Sequence, residues 1–275
     1  MFSIAYRMLG SAAEAEDIVQ EAYLRYQAMP PENIQSHKAF LSTIVTRLSI
    51  DHLKSAKVQR ETYFGQWLPE PLLTQDDTLE SSVDYDSISI AFLVLLESLT
   101  PAERAVFLLH EVFDYSYEEI AHIVDKDMAA CRQLLSRAKK HIHARHHRFQ
   151  TTAEKHHEII LKFALAAQAG ELDELTTLLA EDIEWHADGG GKVPAVIRPL
   201  HGREKVARLV VGLPRFLPEG SYLEINNING QPCLVVYYSD GKPHFVFFFT
   251  VEDGKIRQVW VMANPDKLKR IHGSN

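Results

Sequence analysis

The sequence predicts a multidomain protein with an all-α first half and an α+β second half built on a curved antiparallel sheet. Three observations point there. Residues 1–142 carry apolar positions at helical spacing, broken by Ser and Thr caps and by prolines. Beyond about residue 151, two further helical patterns give way to short strand-like runs separated by Asn-Gly and Asp-Gly pairs, the signature of hairpins. The 275 residues, 46% apolar and 24% charged, suffice for more than one core and exclude a disordered polypeptide.

In chain order, 1–10 is apolar and helical and starts without a cap, the pattern of a chain that begins inside a helix. Ser11-Ala12-Ala13-Glu14 reads as a capping box opening a helix to about residue 26. Glu14, Glu16, Asp17 and Glu21 lie toward its N-terminal end, where the helix dipole favours negative charge. Ile18, Ala22 and Arg25 alternate around it with Val19, Tyr23 and Tyr26, and Pro30-Pro31 closes the segment. A third helix, about 38–57, combines an apolar stripe (Phe40, Leu41, Ile44, Val45, Leu48, Leu53) with Arg47, Lys54 and Lys57, and Arg60 extends the basic side.

The stretch 100–142 is the most informative. Thr100-Pro101-Ala102-Glu103 is a capping box with proline in the first turn, and Ser116-Tyr117-Glu118-Glu119 repeats the signal, predicting a helix over 117–124. Asp125-Lys126-Asp127 breaks the pattern, and Asp127 caps a last helix over about 128–142. Cys131, Leu134, Leu135, Ala138 and Ile142 form its apolar stripe. Ala129, Arg132, Gln133, Ser136, Arg137 and Lys140 form a small, polar and basic face. A short helix, a tight turn and a second helix with such a face is a helix-turn-helix, in which Arg and Gln reach base edges while Lys and Arg hold phosphates. A bundle helix with solvated cations is the plainer reading of the same faces. The net charge of −8 confines any nucleic-acid surface to a local patch.

Between the helical blocks, 62–87 contains Trp67-Leu68-Pro69-Glu70-Pro71 and an acidic run (Glu70, Asp76, Asp77, Glu80, Asp84, Asp86) without Lys or Arg. A flexible linker accounts for the acids and prolines. It does not account for Trp67 and Leu68, which are costly to expose and are expected to dock. His141, His143, His146, His147, His156 and His157 crowd one region but lack the Cys or paired carboxylates of a metal site, so no metal or other cofactor is expected. Cys131 and Cys233 suggest neither a disulfide framework nor zinc. No signal-peptide pattern is present, and the longest apolar run, 88–96, is too short to span a bilayer, so the chain reads as cytosolic, without a membrane partner.

In the second half, helical patterns at 153–169 and 172–180 precede a strand carrying Ile183, Trp185 and Ala187, and then the turn Asp188-Gly189-Gly190-Gly191-Lys192. After a helix over about 202–211 come strands at 222–227, 233–238, 244–251 and 256–262, with turns at Asn229-Gly230, Asp240-Gly241 and Asp253-Gly254. Helices followed by a meander indicate an α+β domain.

Several motifs carry a family resemblance. Arg7-Met8-Leu9-Gly10, Ala15-Glu16-Asp17-Ile18-Val19-Gln20-Glu21 and the 38–60 helix resemble region 2 of an extracytoplasmic-function (ECF) sigma factor, and 100–142 resembles region 4. The second half resembles the cone-shaped SnoaL-like fold. Trp67-Leu68-Pro69-Glu70-Pro71, Asp188-Gly189-Gly190-Gly191-Lys192 and Asn264-Pro265-Asp266-Lys267-Leu268 look like signatures of the sigma subgroup that carries such a domain. The resemblance implies region 2 at 1–61, a linker at 62–87, region 4 at 88–148 and a SnoaL-like regulatory domain at 149–275. It implies core RNA polymerase, through its β′ clamp helices and β flap, and promoter DNA as partners. Glu16, Asp17, Gln20 and Glu21 would contact the polymerase, and an acidic helix start suits basic side chains on another protein. Arg47, His52, Lys54, Lys57 and Arg60 are implied for the −10 element, where a melted strand needs a basic groove. The polar face of the last helix is implied for the −35 element. The linker, glycine and C-terminal motifs would form intramolecular regulatory contacts.

Asp188-Gly189-Gly190-Gly191-Lys192 is not a phosphate loop, because it lacks the Lys-Ser/Thr ending and the strand–loop–helix setting. Trp185, His186, Tyr237 and Trp260 are candidates to line a pocket in the cone, and His186 with Asp188 would be the minimum acid/base pair for isomerase or cyclase chemistry. The expected function is an alternative sigma factor, not an enzyme, regulated in cis and needing no obligatory small molecule. The alternative is a SnoaL-like isomerase or cyclase, or a ligand sensor, fused to a DNA-targeting module. A classical dimeric repressor would leave the acidic helix without a purpose.

Overall fold

The computed structural model describes residues 1–29, 34, 36–74, 85–143 and 152–272, with the side chains at 56–61, 85, 86, 143 and 153 excepted. Pro30, Pro31, Asp76, Asp77, Glu80, Asp84, His146 and His147 lie outside the described residues, as do the side chains of Lys57, Arg60, Asp86 and His143. The chain forms two compact units: Met1–Thr62 with Phe92–His146, and Tyr63–Ala91 with His147–Asn275.

The first unit is helical: α1 (Phe2–Leu9), α2 (Ala12–Gln27), α3 (His37–Glu61), α4 (Ile90–Glu97), α5 (Pro101–Glu111), α6 (Tyr117–Val124) and α7 (Met128–His143). The caps fall where the residues place them. Ser11 accepts from the Glu14 amide, and complete capping boxes open α5 at Thr100 and α6 at Ser116. The Ala130 amide donates to the Asp127 carboxylate at 2.6 Å to start α7. Helix α4 is an addition to the sequence reading. Ile90, Ala91, Phe92, Leu93 and Leu96 are all buried, so it has no polar face and leaves no 3.6-residue alternation to read.

The second unit holds α8 (Ala153–Ala169), α9 (Leu172–Leu178), β1 (Leu179–Asp188), β2 (Leu200–His201), α10 (Arg203–Gly212), β3 (Tyr222–Ile228), β4 (Gln231–Tyr237), β5 (Pro243–Glu252) and β6 (Lys255–Met262). The sheet order is β2-β1-β6-β5-β4-β3. The hairpins at Asn229-Gly230 and Asp253-Gly254 have both central residues at positive φ, as two-residue I′ turns require. One expectation is corrected: the sheet is mixed, because β1 pairs parallel to β6 while every other pair is antiparallel. The chain returns from β1 through β2, α10 and the β3–β6 meander before its last strand reaches β1, so two strands of the same direction meet.

Side chains alternate across this sheet. Trp185, Leu234, Val236, Phe247, Phe249, Val259 and Val261 face the core built with α8, α9 and α10. Each fully buried Leu or Phe there contributes about 1.5–3 kcal/mol. Cys233, Val235, Tyr237, Phe248 and Trp260 are buried on the opposite face. Polar anchors tie residues 63–74 and the C-terminal segment to that side, as the site geometry makes plain. This is the SnoaL-like α+β cone with its outer face occupied by the chain's own linker.

Candidate functional site

Helix α7 separates its two faces as the spacing requires. Cys131, Leu134, Leu135, Ala138 and Ile142 are buried, whereas Ala129, Arg132, Gln133, Ser136, Arg137 and Lys140 are exposed. The apolar stripe seats the helix on α5 and α6, leaving the polar face presented as a unit. Two of its cations are already oriented. Arg132 lies over the Tyr117 ring, 5.1 Å from its centroid, and Arg137 approaches the buried Glu103 carboxylate at 3.3 Å. On α2, Glu16, Asp17 and Gln20 are exposed, and the half-buried Glu21 pairs with Arg25 at 2.8 Å. Exposed Tyr23 and Leu24 continue the same helix, giving an acidic and apolar surface.

The α3 residues are less alike than their shared charge suggests. Lys54 is exposed and pairs with Asp51 at 2.8 Å, and His52 meets Glu14 at 3.3 Å. Arg47 is committed within the unit: its Nε donates to the Ile123 carbonyl and its Nη2 to the His122 carbonyl, both at 2.8 Å. These are carbonyls at the end of α6, where a cation satisfies the helix dipole. Ser42 Oγ and Tyr115 Oη lie 2.7 Å apart and buried in the same contact. Arg104, 3% exposed, donates to the Met8 carbonyl at 2.6 Å and to Glu97 at 2.7 Å. Polar contacts between residues more than 70 positions apart, buried at Ser42–Tyr115 and Arg104–Met8, therefore tie α1 and α3 to the α5–α6 segment.

The linker, glycine and C-terminal motifs meet in the second unit at one carboxylate. Asp188 ends β1 with no exposed surface, and it accepts four hydrogen bonds. Tyr63 Oη donates to Oδ1 at 2.6 Å and the Gly190 amide at 3.0 Å, while the Leu68 amide reaches Oδ2 at 2.9 Å and Lys267 Nζ at 2.7 Å. That fills the acceptor sites a carboxylate offers. Lys267 also donates to the Leu68 carbonyl at 2.5 Å and lies over the Trp67 ring, 4.2 Å from its centroid. Pro69 is buried beside Leu68, and Leu268 is buried at the start of the chain's last described turn, where its carbonyl accepts from the Ile271 amide. Asn264 donates to Tyr63 Oη at 2.8 Å and accepts from the Asp266 amide at 3.0 Å, with Pro265 between them. Lys192 pairs with Asp266, which holds that carboxyl below its usual range. Burial, and then the bond to Asp188 and its charge, push the Tyr63 phenol well above its ordinary value, so it remains a donor.

The glycines have separate reasons. At Gly190, with φ +59°, a Cβ would sit 2.3 Å from Asn264 Nδ2. At Gly189 it would sit 2.5 Å from the Val193 carbonyl oxygen. The loop packs too closely for side chains.

Sequence reasoning missed a second anchor. Asn229, fully buried at the β3–β4 turn, accepts from the Leu72 amide at 2.8 Å and donates to the Ile88 carbonyl at 2.8 Å. Its own amide donates to the Leu72 carbonyl at 2.9 Å, and Leu73 bridges to Ile228. An Asn-Gly pair signals only a turn, and nothing in sequence distinguishes an amide that also grips another segment. Gln66 adds a third tie through His186 Nδ1 at 2.8 Å.

The proposed pocket residues are corrected. A cavity of about 180 Å³ opens between α8, α10 and strands β3–β5, but Trp185, His186, Tyr237 and Trp260 do not line it. Strand alternation sends His186, Tyr237 and Trp260 to the other face, where His186 stacks on Trp260 at 4.1 Å. Trp185 faces the core, 2% exposed, edge-on to Phe247. Burial holds the His186 imidazole below its ordinary range, against the pull of Glu184, and pushes the Tyr237 phenol up to about 12. His186 and Asp188 bond to different partners and form no acid/base pair.

The fold is that of an all-α unit, closed by a helix-turn-helix with an exposed basic face, followed in sequence by an α+β domain. Residues 1–58 match Sigma-70 region 2 and residues 89–142 match Sigma-70, region 4. The ECF RNA polymerase sigma factor SigJ of Mycobacterium tuberculosis is 36% identical over 98% of this chain and 89% of its own length. The probable ECF sigma factor SigI of the same species is 30% identical over 98% of this chain and 91% of its own. The crystal structure of Mycobacterium tuberculosis SigJ superposes with a TM-score of 0.76 at 35% identity, covering 97% of this chain and 93% of that one. The chain belongs to the ECF RNA polymerase sigma factors. As such it binds core RNA polymerase and promoter DNA and directs transcription initiation, and sigma factors are not enzymes.

Proposed function

We propose that this sigma factor is restrained in cis by the clamp on its linker. The observation that carries the reading is the Asp188 node, where one buried carboxylate ties the linker, the glycine turn and the C-terminal motif together. The linker, 62–87, is the covalent connection between the two sigma modules and spans roughly 90 Å when extended. Anchored at 63–74 and again at Ile88, it leaves only the few residues outside those anchors as free tether to the modules. The two modules then stay packed on each other, with Arg47 held on α6.

In the assignment we favour, Glu16, Asp17, Gln20 and Glu21 dock on the β′ clamp helices, where acidic side chains suit a basic partner. Arg47, His52, Lys54, Lys57 and Arg60 engage the −10 element once the modules separate. Ala129, Arg132, Gln133, Ser136, Arg137 and Lys140 meet the −35 element, and the module that carries them meets the β flap.

Run-off transcription with core polymerase and a promoter recovered by selection tests the restraint. Asp188→Ala takes the carboxylate from the buried Lys267 ammonium, the Leu68 amide and the Tyr63 phenol together, at a cost of about 3–5 kcal/mol to the docked linker. We expect Asp188→Ala and Lys267→Met each to raise specific initiation at least tenfold over the full-length protein. Unchanged initiation from variants with a released linker contradicts the restraint.

A further inference from the structure

Helix α5 begins on a carboxylate that serves two partners. In the capping box at its start, Glu103 Oε2 accepts from the Thr100 amide at 3.1 Å and from the Thr100 hydroxyl at 2.8 Å. Both bonds go to one oxygen, which leaves Oε1 over on a side chain that is 6% exposed. A buried carboxylate oxygen needs a donor. Among the described residues, the cation that meets it is Arg137 of α7, whose Nε lies 3.3 Å away while its side chain stays 61% exposed. We propose that Glu103 is a positioning residue for DNA reading, holding Arg137 by Nε and leaving its two Nη groups for the base. The proposal rests on the assignment of the α7 face to the −35 element. An arginine held at Nε offers two parallel donors end-on, and on a base edge that pair matches O6 and N7 of guanine. Arg137 then reads a guanine instead of holding a phosphate. Positioning also removes in advance the rotamer freedom that a long exposed side chain otherwise loses on binding. A single ion pair with an exposed arginine adds little to stability, so its effect falls on recognition.

The substitution that separates the two duties is Glu103→Gln, because glutamine also completes a capping box but carries no charge for Arg137. The measurement is run-off transcription by the full-length protein with core polymerase. Its templates are a selected promoter in which each −35 position carries each of the four base pairs in turn. Wild type is expected to prefer G·C at least tenfold at one position, and Arg137→Ala to abolish that preference, which locates the position. Glu103→Gln should cut the same preference at least threefold and leave the other −35 positions unchanged. It should cost nothing further in the Arg137→Ala background, the mark of a residue that acts through Arg137. Thr100→Ala breaks the box and keeps the ion pair, so it should lower the melting temperature without changing the preferred base. Three outcomes overturn the proposal: full G·C preference in Glu103→Gln, a loss spread evenly over all −35 positions, or a loss that persists when residue 137 is alanine. A preferred pair other than G·C at that position also overturns it. No change at any position in Arg137→Ala overturns the −35 assignment of α7 itself, and the proposal with it.

Discussion

Asp188 shows how much one side chain can hold when all its acceptor positions are used. A buried carboxylate with one unmet lone pair would weaken the fold; here two backbone amides, a phenol and an ammonium converge on it. His156 is a second residue whose burial has a consequence. It is 9% exposed, its Nε2 lacks a partner among the described residues, and burial holds it below its ordinary value, against a hydrogen bond to the Phe249 backbone. The depressed imidazole contributes stability that is fully present above the ordinary histidine value and is lost as the pH falls through the lower, folded value. Trp67, Trp185 and Trp260 all lie in the second unit, so tryptophan fluorescence reports its melting alone. The melting temperature should fall between pH 7.5 and pH 5, by about 2–4 °C for each kcal/mol of proton linkage. His156→Asn, which keeps a donor for Phe249 but cannot titrate, should flatten that dependence. An equally steep profile in the variant would assign the linkage elsewhere. Neither Asp188 nor His156 was fully legible in the sequence. The glycine motif marked Asp188 through family resemblance, but its four donors come from segments up to 125 positions away.

At the scale of elements, the helices were legible where one face is buried and the other wet. Helix α7 is the clearest case, since its period places five apolar residues on one face and five polar residues with Ala129 on the other, and the structure keeps them there. Helix α4 was not legible because it is apolar all round, and the parallel β1–β6 pairing was not because strand direction leaves no mark in a strand's own residues. The cavity assignment failed for a related reason: adjacent residues on one strand serve opposite faces, and sequence alone does not say which face holds the space. The exposed α7 face makes a definite prediction by fluorescence anisotropy on selected promoter DNA. Arg132→Ala or Gln133→Ala should cost about 1–3 kcal/mol on the cognate −35 sequence and relax discrimination at one position. Lys140→Ala should weaken binding to all sequences alike and reduce the salt slope by about 1. Identical, sequence-independent losses from all three would assign the face to phosphate contact alone.

For the whole molecule, the net charge of −8 leaves DNA contact to local basic patches, and α7 carries one in the exposed Arg132, Arg137 and Lys140. The division into two units gives the linker its leverage, because Tyr63–Ala91 belongs to the second unit while the residues on either side of it belong to the first. The restraint is most directly measured by the separation of the two sigma modules. Spin labels at Gln20→Cys and Ser136→Cys, both exposed positions, report it by double electron–electron resonance in the full chain, where Cys131 and Cys233 are buried. The wild-type clamp should give one narrow distance, and Asp188→Ala in the labelled background should broaden it and extend it to longer values. The same narrow distance in both proteins, with the linker shown to be released in the variant, would contradict the account.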